Sequence, residues 1–447
     1  MTGFVRRRAR IPAAVLAVIL TLTWASDALA LTWGPTRSIT TSRNAVASQS
    51  LAVGTNALHA LVEEARGGVL AIRYRRSTDG GVTWSASTAV STADATYAYG
   101  AAIAARGTMV DATWVESTPT LVRLRYRRSI DGGVTWQAPV SLTTGAVTVA
   151  GSTPVTVLDE TDVPTADVTG ADAPVMSTAA RRLADAATRR AARRTADTTA
   201  DASPSYPRIA RDSTNRLVVT WTDDATGQVW VRRSGDGGTT WSTAALLTTT
   251  TNHPYGDAFF DAFPDVAAGT GIFYIAYYAT SASLRVKRST NGGATWTTAT
   301  TIATNGSGWL PDVAAAGSSA VVGYAVPTST AQYAAIRRTA DKGATWKTIV
   351  KLTPTTAAVA FQPVVAYGGS AWRVLYERCL TTSCASSAVY YRGSTTGTTW
   401  TAAQKVSTTT RPYATPTGLG YSTRVIAMYD DWAPKVLDSD VYLRAGS

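Results

Sequence analysis

Histidine, cysteine and glutamate are scarce in this chain. Its 447 residues include 2 His, 2 Cys, 4 Met and 6 Phe, and only five Glu, against 14 Trp and 19 Tyr. So few nitrogen and sulfur ligands leave no Cys/His metal cluster to build, and neither a metal nor a cofactor is expected. Long apolar runs are missing too: after residue 25 no segment is long and apolar enough to span about 30 Å of hydrocarbon. Charge is thin at 16%, with Lys and Arg (42) outnumbering Asp and Glu (30). The composition is 45% hydrophobic and rich in Gly, Thr, Trp and Tyr, which suits a large all-β core.

Residues 1–30 read as a signal peptide. Arg6, Arg7, Arg8 and Arg10 form a positive start, Ile11 to Ala25 an apolar run, and Ala28-Leu29-Ala30 a small-x-small cleavage site. A secreted protein is expected, extracellular or held at the cell envelope.

One short phrase then recurs. Ser77-Thr78-Asp79-Gly80-Gly81-Val82-Thr83-Trp84 returns around Asp131 and Trp136, around Asp236 and Trp241, around Asn291 and Trp296, around Asp341 and Trp346, and in a worn copy ending at Trp400. Its chemistry is local. The Asp carboxylate can accept the following backbone N–H groups, the Gly pair supplies positive φ, and Thr-Trp restarts a strand with the indole as a hydrophobic plug. Leu31-Thr32-Trp33 is a half-copy at the front.

Successive tryptophans lie 51, 52, 55, 50 and 54 residues apart, apart from one interval of 105 between Trp136 and Trp241. A period near 50 with room for four short strands predicts a β-propeller. In one repeat the strands fall at Tyr206–Ala210, Leu217–Trp221, Val229–Arg233 and Trp241–Leu247. The other second strands are Ala57–Val62, Met109–Trp114, Ile272–Tyr277, Ala320–Tyr324, Trp372–Tyr376 and Val425–Tyr429. The last repeat ends on a third strand near Asp440–Arg444, and Leu31–Thr40 looks like a fourth strand with no sheet of its own. Pairing them closes a ring and removes two exposed edges. The fold expected is therefore an all-β, seven-bladed propeller of four-stranded antiparallel blades spanning 31–447. Residues 148–203, low in complexity and rich in Ala, Thr, Asp and Arg, interrupt it as an insertion.

The recurring turn resembles the Asp-box, or BNR repeat, of the sialidase-like β-propellers. The resemblance implies that Asp79, Asp131, Asp236, Asn291, Asp341 and Trp84, Trp136, Trp241, Trp296, Trp346 and Trp400 are structural, on the face opposite the active site. Sialidases of this family also use an Arg-Ile-Pro motif, three arginines, and a Tyr nucleophile with Glu and Asp partners. This chain has no Arg-Ile-Pro: Tyr206-Pro207-Arg208-Ile209-Ala210 has its proline on the wrong side. The seven repeats also differ from the six blades of catalytic sialidases.

On the opposite face the resemblance places the loops between second and third strands and those leading into each first strand. The former are expected to carry Glu63, Glu64, Glu116, Asp223, Asp224, Glu377, Asp430 and Asp431. The latter offer His253, Tyr255, Asp257, Phe259, Asp261, Trp309, Arg411 and Tyr413, with Trp432 beside Asp431. Rings stack on sugar faces while carboxylates accept hydroxyl hydrogen bonds, which points to glycan recognition. Candidate ligand-binding residues are Tyr255, Asp257, Trp309, Arg411, Tyr413 and Trp432; candidate catalytic acids are Asp223, Asp224, Glu377, Asp430 and Asp431. Asp265 and Asp312, in repeated Pro-Asp-Val-Ala strings, are read as strand caps, and His59 as a core histidine.

Arginines gathered in the third strands form a basic belt whose stems cover apolar sheet while the heads stay wet. Without a groove-reading element the belt does not suggest a nucleic-acid partner. Cys379 and Cys384 are expected to form a disulfide. The function expected is a monomeric, secreted module binding a glycan or another extracellular ligand. The alternatives are a carboxylate-based glycoside hydrolase, sialidase-like or other, and then a protein-interaction scaffold.

Overall fold

A computed structural model describes Leu29 and residues 31–40, 50–66, 69–93, 95, 97–118, 121–143, 204–224, 226–248, 263–279, 283–306, 310–329, 331–354, 359–380, 386–408, 413–421, 424–432 and 439–446. The leader and the 148–203 segment lie outside these residues. Regular structure among the described residues is entirely strand. The strands are β1 (Arg37–Ser38); β2 (Ser50–Val53), β3 (Leu58–Arg66), β4 (Val69–Ser77) and β5 (Thr88–Ala89); and β6 (Tyr97–Arg106), β7 (Met109–Ser117), β8 (Val122–Ser129) and β9 (Val140–Ser141). Then come β10 (Pro204–Arg211), β11 (Leu217–Asp223), β12 (Gln228–Ser234) and β13 (Ala245–Leu246); β14 (Asp265–Gly269), β15 (Ile272–Ala279), β16 (Ser283–Ser289) and β17 (Thr300–Ala303); and β18 (Asp312–Ala316), β19 (Ser319–Pro327), β20 (Gln332–Thr339) and β21 (Val350–Lys351). Last are β22 (Ala360–Gly368), β23 (Ala371–Cys379), β24 (Ser387–Ser394) and β25 (Gln404–Lys405), then β26 (Tyr413–Tyr421), β27 (Val425–Trp432) and β28 (Ser439–Gly446).

Each sheet is an antiparallel meander of four strands taken in chain order, with one exception and one join. The exception is the sheet β26-β27-β28-β1, where Arg37 and Ser38 pair with Leu443 and Tyr442. The join is a single parallel pair, Leu70 with Tyr97, that links β2–β5 to β6–β9. First strands touch in succession from β2 through β6, β10, β14, β18 and β22 to β26, and β26 touches β2.

The core is divided among the seams between sheets because alternate residues of each strand face opposite neighbours. In β3, Leu58, Ala60 and Val62 pack with Ile426, Met428 and Leu443 of the last sheet, and Leu61 turns the other way to Val110 and Trp114. Comparable clusters fill each successive seam.

The turns between third and fourth strands are tied by their own side chains. Asp79 Oδ1 accepts the N–H groups of Val82 and Thr83, both at 2.9 Å, and its Oδ2 accepts the Thr83 hydroxyl at 2.6 Å. Asp131, Asp236 and Asp341 repeat these bonds to the residue four positions on. Asn291 accepts the Thr295 N–H and donates to its hydroxyl instead. Thr396 replaces the carboxylate with a hydroxyl at 3.2–3.4 Å from the N–H groups of Thr398 and Thr399. Those accepted hydrogen bonds hold the Asp79 carboxyl down at about 2.

Three details depart from the sequence reading. Fourth strands are much shorter: after Trp241 only Ala245–Leu246 pairs, because Ser242 is already bonded back to Arg233 and the next residues run free of the ladder. The indoles seal seams rather than their own hairpins. Trp136 meets Tyr74 edge-on at 5.0 Å, Trp241 meets Tyr126 at 4.8 Å, and Trp33 meets Tyr391 at 5.4 Å, each tyrosine belonging to the preceding sheet. Nor is the basic belt free in water. Arg127, Lys287, Arg337 and Arg392 donate to the carbonyls of Val90, Leu247, Ile302 and Leu352 on the preceding sheet, at 2.6–3.0 Å. Arg232 and Arg444 make the same bond to Leu142 and Val406. These carbonyls end fourth strands at buried residues, where an unpaired acceptor would be costly.

Candidate functional site

First strands differ from one sheet to the next at one position in the ladder. Opposite Leu61, Thr113, Thr220, Ala276, Gly323, Leu375 and Met428 stand Ser50, Ala102, Arg208, Asp265, Asp312, Val364 and Gly418. Arg, Asp and Asp therefore occupy equivalent places on β10, β14 and β18, three first strands in contact.

The backbone leading to these three residues is strained. Tyr206, Phe263 and Leu310 have φ of 47°, 39° and 26°, each two residues before the polar side chain and each followed by proline. Left-handed φ in a non-glycine residue costs on the order of 1–3 kcal/mol, and a following proline normally asks for extended backbone. In β6 the same place is taken by Gly100 at 68°, which bears no such cost. Register shifts at Ser205/Arg208 and Tyr99/Ala102 mark β-bulges, which re-aim the following side chain. Buried contact between the Tyr206 and Phe263 rings, 4.6 Å apart, fixes two of these corners against each other.

Electrostatics link the trio. Arg208 Nε lies 3.7 Å from Asp265 Oδ1, with the two side chains 30% and 13% exposed. Asp265 Oδ2 accepts the Val313 N–H at 2.7 Å, and Asp312 Oδ1 accepts the Val365 N–H at 2.8 Å. Burial raises the Asp265 carboxyl to about 6 against the pull of Arg208 and the backbone donors. Asp312 is raised as well, by burial and then by the Asp265 charge. Both acids therefore hold their protons to higher pH than free carboxyls do.

Asp265 and Asp312 thus do more than cap strands. Pro-Arg-Ile-Ala at 207, Pro-Asp-Val-Ala at 264 and 311, and Pro-Val-Val-Ala at 363 were the available signal, since one frame carries varying polar residues. Only the register shows that these variants share a place.

The acids expected in loops lie mostly on strands, because second strands run two to four residues beyond their expected ends. Glu63 and Glu64 are on β3, Glu116 on β7, Asp223 on β11, Glu377 on β23 and Asp430 and Asp431 on β27; Asp224 opens a turn. Those with described side chains are at most 6% exposed. Glu63 accepts the Gly100 N–H, and Glu116 collects the Thr92 N–H, the Trp114 indole and the Arg123 and Arg125 guanidiniums. Asp224 accepts the Ser205 hydroxyl, and Asp223 takes the Thr226 N–H at 3.2 Å. Each bond ties strands or turns together.

Tyr255, Asp257, Trp309 and Arg411 lie outside the described residues, as do the side chains of Tyr413, Asp431 and Trp432. His59 is buried, 2.7 Å from the Tyr74 hydroxyl, and desolvation lowers it to about 4. Cys379 is disulfide-bonded, while Cys384 lies outside the described residues. Among the described residues no three His, Cys, Asp or Glu side chains gather as a metal cluster, and no helix is long and apolar enough to cross a membrane.

No family model and no curated protein matches the chain. Similar solved structures include the Hadza microbial sialidase Hz136, at 14% identity and a TM-score of 0.45, covering 76% of this chain and 66% of that one. A Trypanosoma rangeli sialidase in complex with sialic acid gives 11% and 0.47 over 92% and 58%. A Penicillium chrysogenum α-L-arabinanase complexed with arabinobiose gives 17% and 0.35 over 54% and 92%. The chain therefore spans slightly under two thirds of the length of these two sialidases.

Proposed function

We propose that this chain is a seven-bladed β-propeller, closed by β1 on β28, that is secreted and binds a glycan where its first strands begin. The closure reading is supported by the continuous contacts of the first strands and the β1–β28 pairing. The observation carrying the functional reading is the Arg208–Asp265–Asp312 trio. It sets an acceptor, a donor and a protonatable acid side by side on neighbouring strands, a set suited to sugar hydroxyls. Tyr255, Asp257 and Trp309, which precede Asp265 and Asp312 in the two leading segments, would supply stacking and further acceptors.

A second reading, glycoside hydrolysis, is favoured by two carboxyls on neighbouring strands, both raised by burial. Asp312 would protonate the departing glycosidic oxygen while Asp265 acts as base or nucleophile.

Glycan-array binding and turnover of fluorogenic glycosides, measured on the same sample, test both. Saturable binding without turnover, weakened at least tenfold by Arg208→Ala or Asp265→Asn, supports the binding module. Turnover abolished by Asp312→Asn in a protein that still unfolds cooperatively makes it an enzyme. Binding and turnover both indifferent to these changes would sink the site.

A further inference from the structure

A cavity of about 60 Å³ lies where the first and last strands meet, between β1, the Gly80–Gly81 turn and β28. Arg37 and Arg424 both line it, and no carboxylate does. Across the belt of third strands, basic heads are taken up by carbonyls of the neighbouring sheet, but these two are not. Arg37 has one long bond, 3.5 Å to the Val82 carbonyl, and among the described residues Arg424 has no hydrogen bond or ion pair. Asp79, in the adjoining turn, is occupied by the donors of its own turn and pairs with neither arginine.

Two exposed guanidiniums on one small cavity repel each other unless an anion sits between them. Their planar forks suit oxyanions, which accept two parallel N–H bonds from each. Size narrows the choice. A water-sized oxygen needs roughly 10–15 Å³ of such space, so the cavity holds about four to six of them, room enough for the four oxygens of sulfate or phosphate.

We propose that this cavity binds a tetrahedral oxyanion, sulfate or phosphate, free or as an ester on a glycan, between Arg37 and Arg424. Because Arg37 belongs to β1 and Leu443 of the lining belongs to β28, the bound ion joins the two ends of the chain. Ligation then stabilises the folded state by linkage.

The test is the thermal midpoint of the full chain titrated with sodium sulfate, against sodium chloride at equal ionic strength. Sulfate also stabilises proteins by exclusion from their surfaces, an effect that does not saturate. The expected result is an added shift that saturates in the millimolar range. It should weaken at least tenfold in apparent affinity in Arg37→Gln and in Arg424→Gln, and stay unchanged in Arg106→Gln, an exposed arginine at a different hairpin. Among the described residues Arg424 has no hydrogen bond or ion pair, so its variant should fold. A sulfated oligosaccharide and its desulfated form provide the second arm. A shift with the sulfated form alone places esters among the ligands, and a shift with inorganic sulfate alone restricts the site to the free ion. A purely linear sulfate effect, equal in wild type and both variants, overturns the proposal.

Discussion

At one end of every sheet except the one that joins β28 to β1, a Ser or Thr hydroxyl, an Asp carboxylate or its substitute, and a left-handed glycine rebuild the same turn. Nearer the start of the first strands, one ladder position holds Ser, Ala, Arg, Asp, Asp, Val and Gly in turn. Repetition is what folding asks for, since every sheet needs the same corner and the same grip on its neighbour. Variation at an equivalent position signals freedom from that demand. Ala102 and Val364 show that a seam holds without a polar side chain there. Ser50, Asp265 and Asp312 each accept the N–H of a residue on the next first strand, Ile103, Val313 and Val365, and Arg208 has no such bond to make.

Four changes would break or sharpen this contrast. The largest effect is expected at the seam of β7 and β10, where Arg211 grips buried Asp111 at 2.6 and 2.7 Å and Tyr126 adds a third bond at 2.6 Å. Asp111→Ala leaves Arg211 without its partner and should cost about 3–5 kcal/mol in urea unfolding. Next is Gly133→Ala. A Cβ there would meet the Tyr74 hydroxyl at 1.7 Å with φ at +84°, whereas one at Gly235 meets nothing within 4 Å. We expect a loss of roughly 2–4 kcal/mol for the first, from overpacking and left-handed strain, and less than about 1 kcal/mol for the second. Equal losses would show that neither the Tyr74 contact nor the left-handed backbone sets Gly133 apart from Gly235, which lacks both.

Smaller, and opposite in sign at the two regions, is the response to pH. The Asp79 carboxyl, depressed to about 2, contributes stability present above its unfolded value near 4 and lost as pH falls towards 2. Asp265, raised to about 6, and Asp312, raised as well, contribute stability present below about 4 and lost as pH rises through about 6 and beyond. Asp312→Asn keeps an acceptor for the Val365 N–H without the charge. Its unfolding free energy, followed by urea titration, should exceed that of wild type at pH 8 by on the order of 1 kcal/mol and lose the advantage at pH 4. No pH dependence in that difference would remove the raised acid from the account. The least effect is expected at Lys342, which holds φ of 56° where sister turns use glycine. Lys342→Gly should stabilise by less than about 1 kcal/mol, detectable as a small rise in melting temperature.

The turns were legible because their chemistry closes within seven residues: Asp79 needs only Ser77, Val82 and Thr83. The period followed from the tryptophans, and the pairing of the chain ends from an unmatched strand at each terminus. What escaped the sequence depends on register or on a neighbouring sheet. That Glu116 is a buried hub requires β7 to extend to Ser117 and both Arg123 and Arg125 to face it. That Arg127 grips the Val90 carbonyl requires knowing which sheet adjoins. The trio at 208, 265 and 312 spans more than a hundred residues and becomes one place only when the strands stand side by side.

The pairing of Arg37 and Ser38 with Leu443 and Tyr442 also sets a timetable. Synthesis at about 5–20 residues per second keeps β1 without its partner for tens of seconds, while the sheets between can form as they emerge. During that interval β1 stays unmatched, open to the last strand of another molecule on the same polysome. Crowded translation would then select for whatever holds Leu31–Thr40 close to its own chain, and slow synthesis late in the message would favour exchanged, intertwined products.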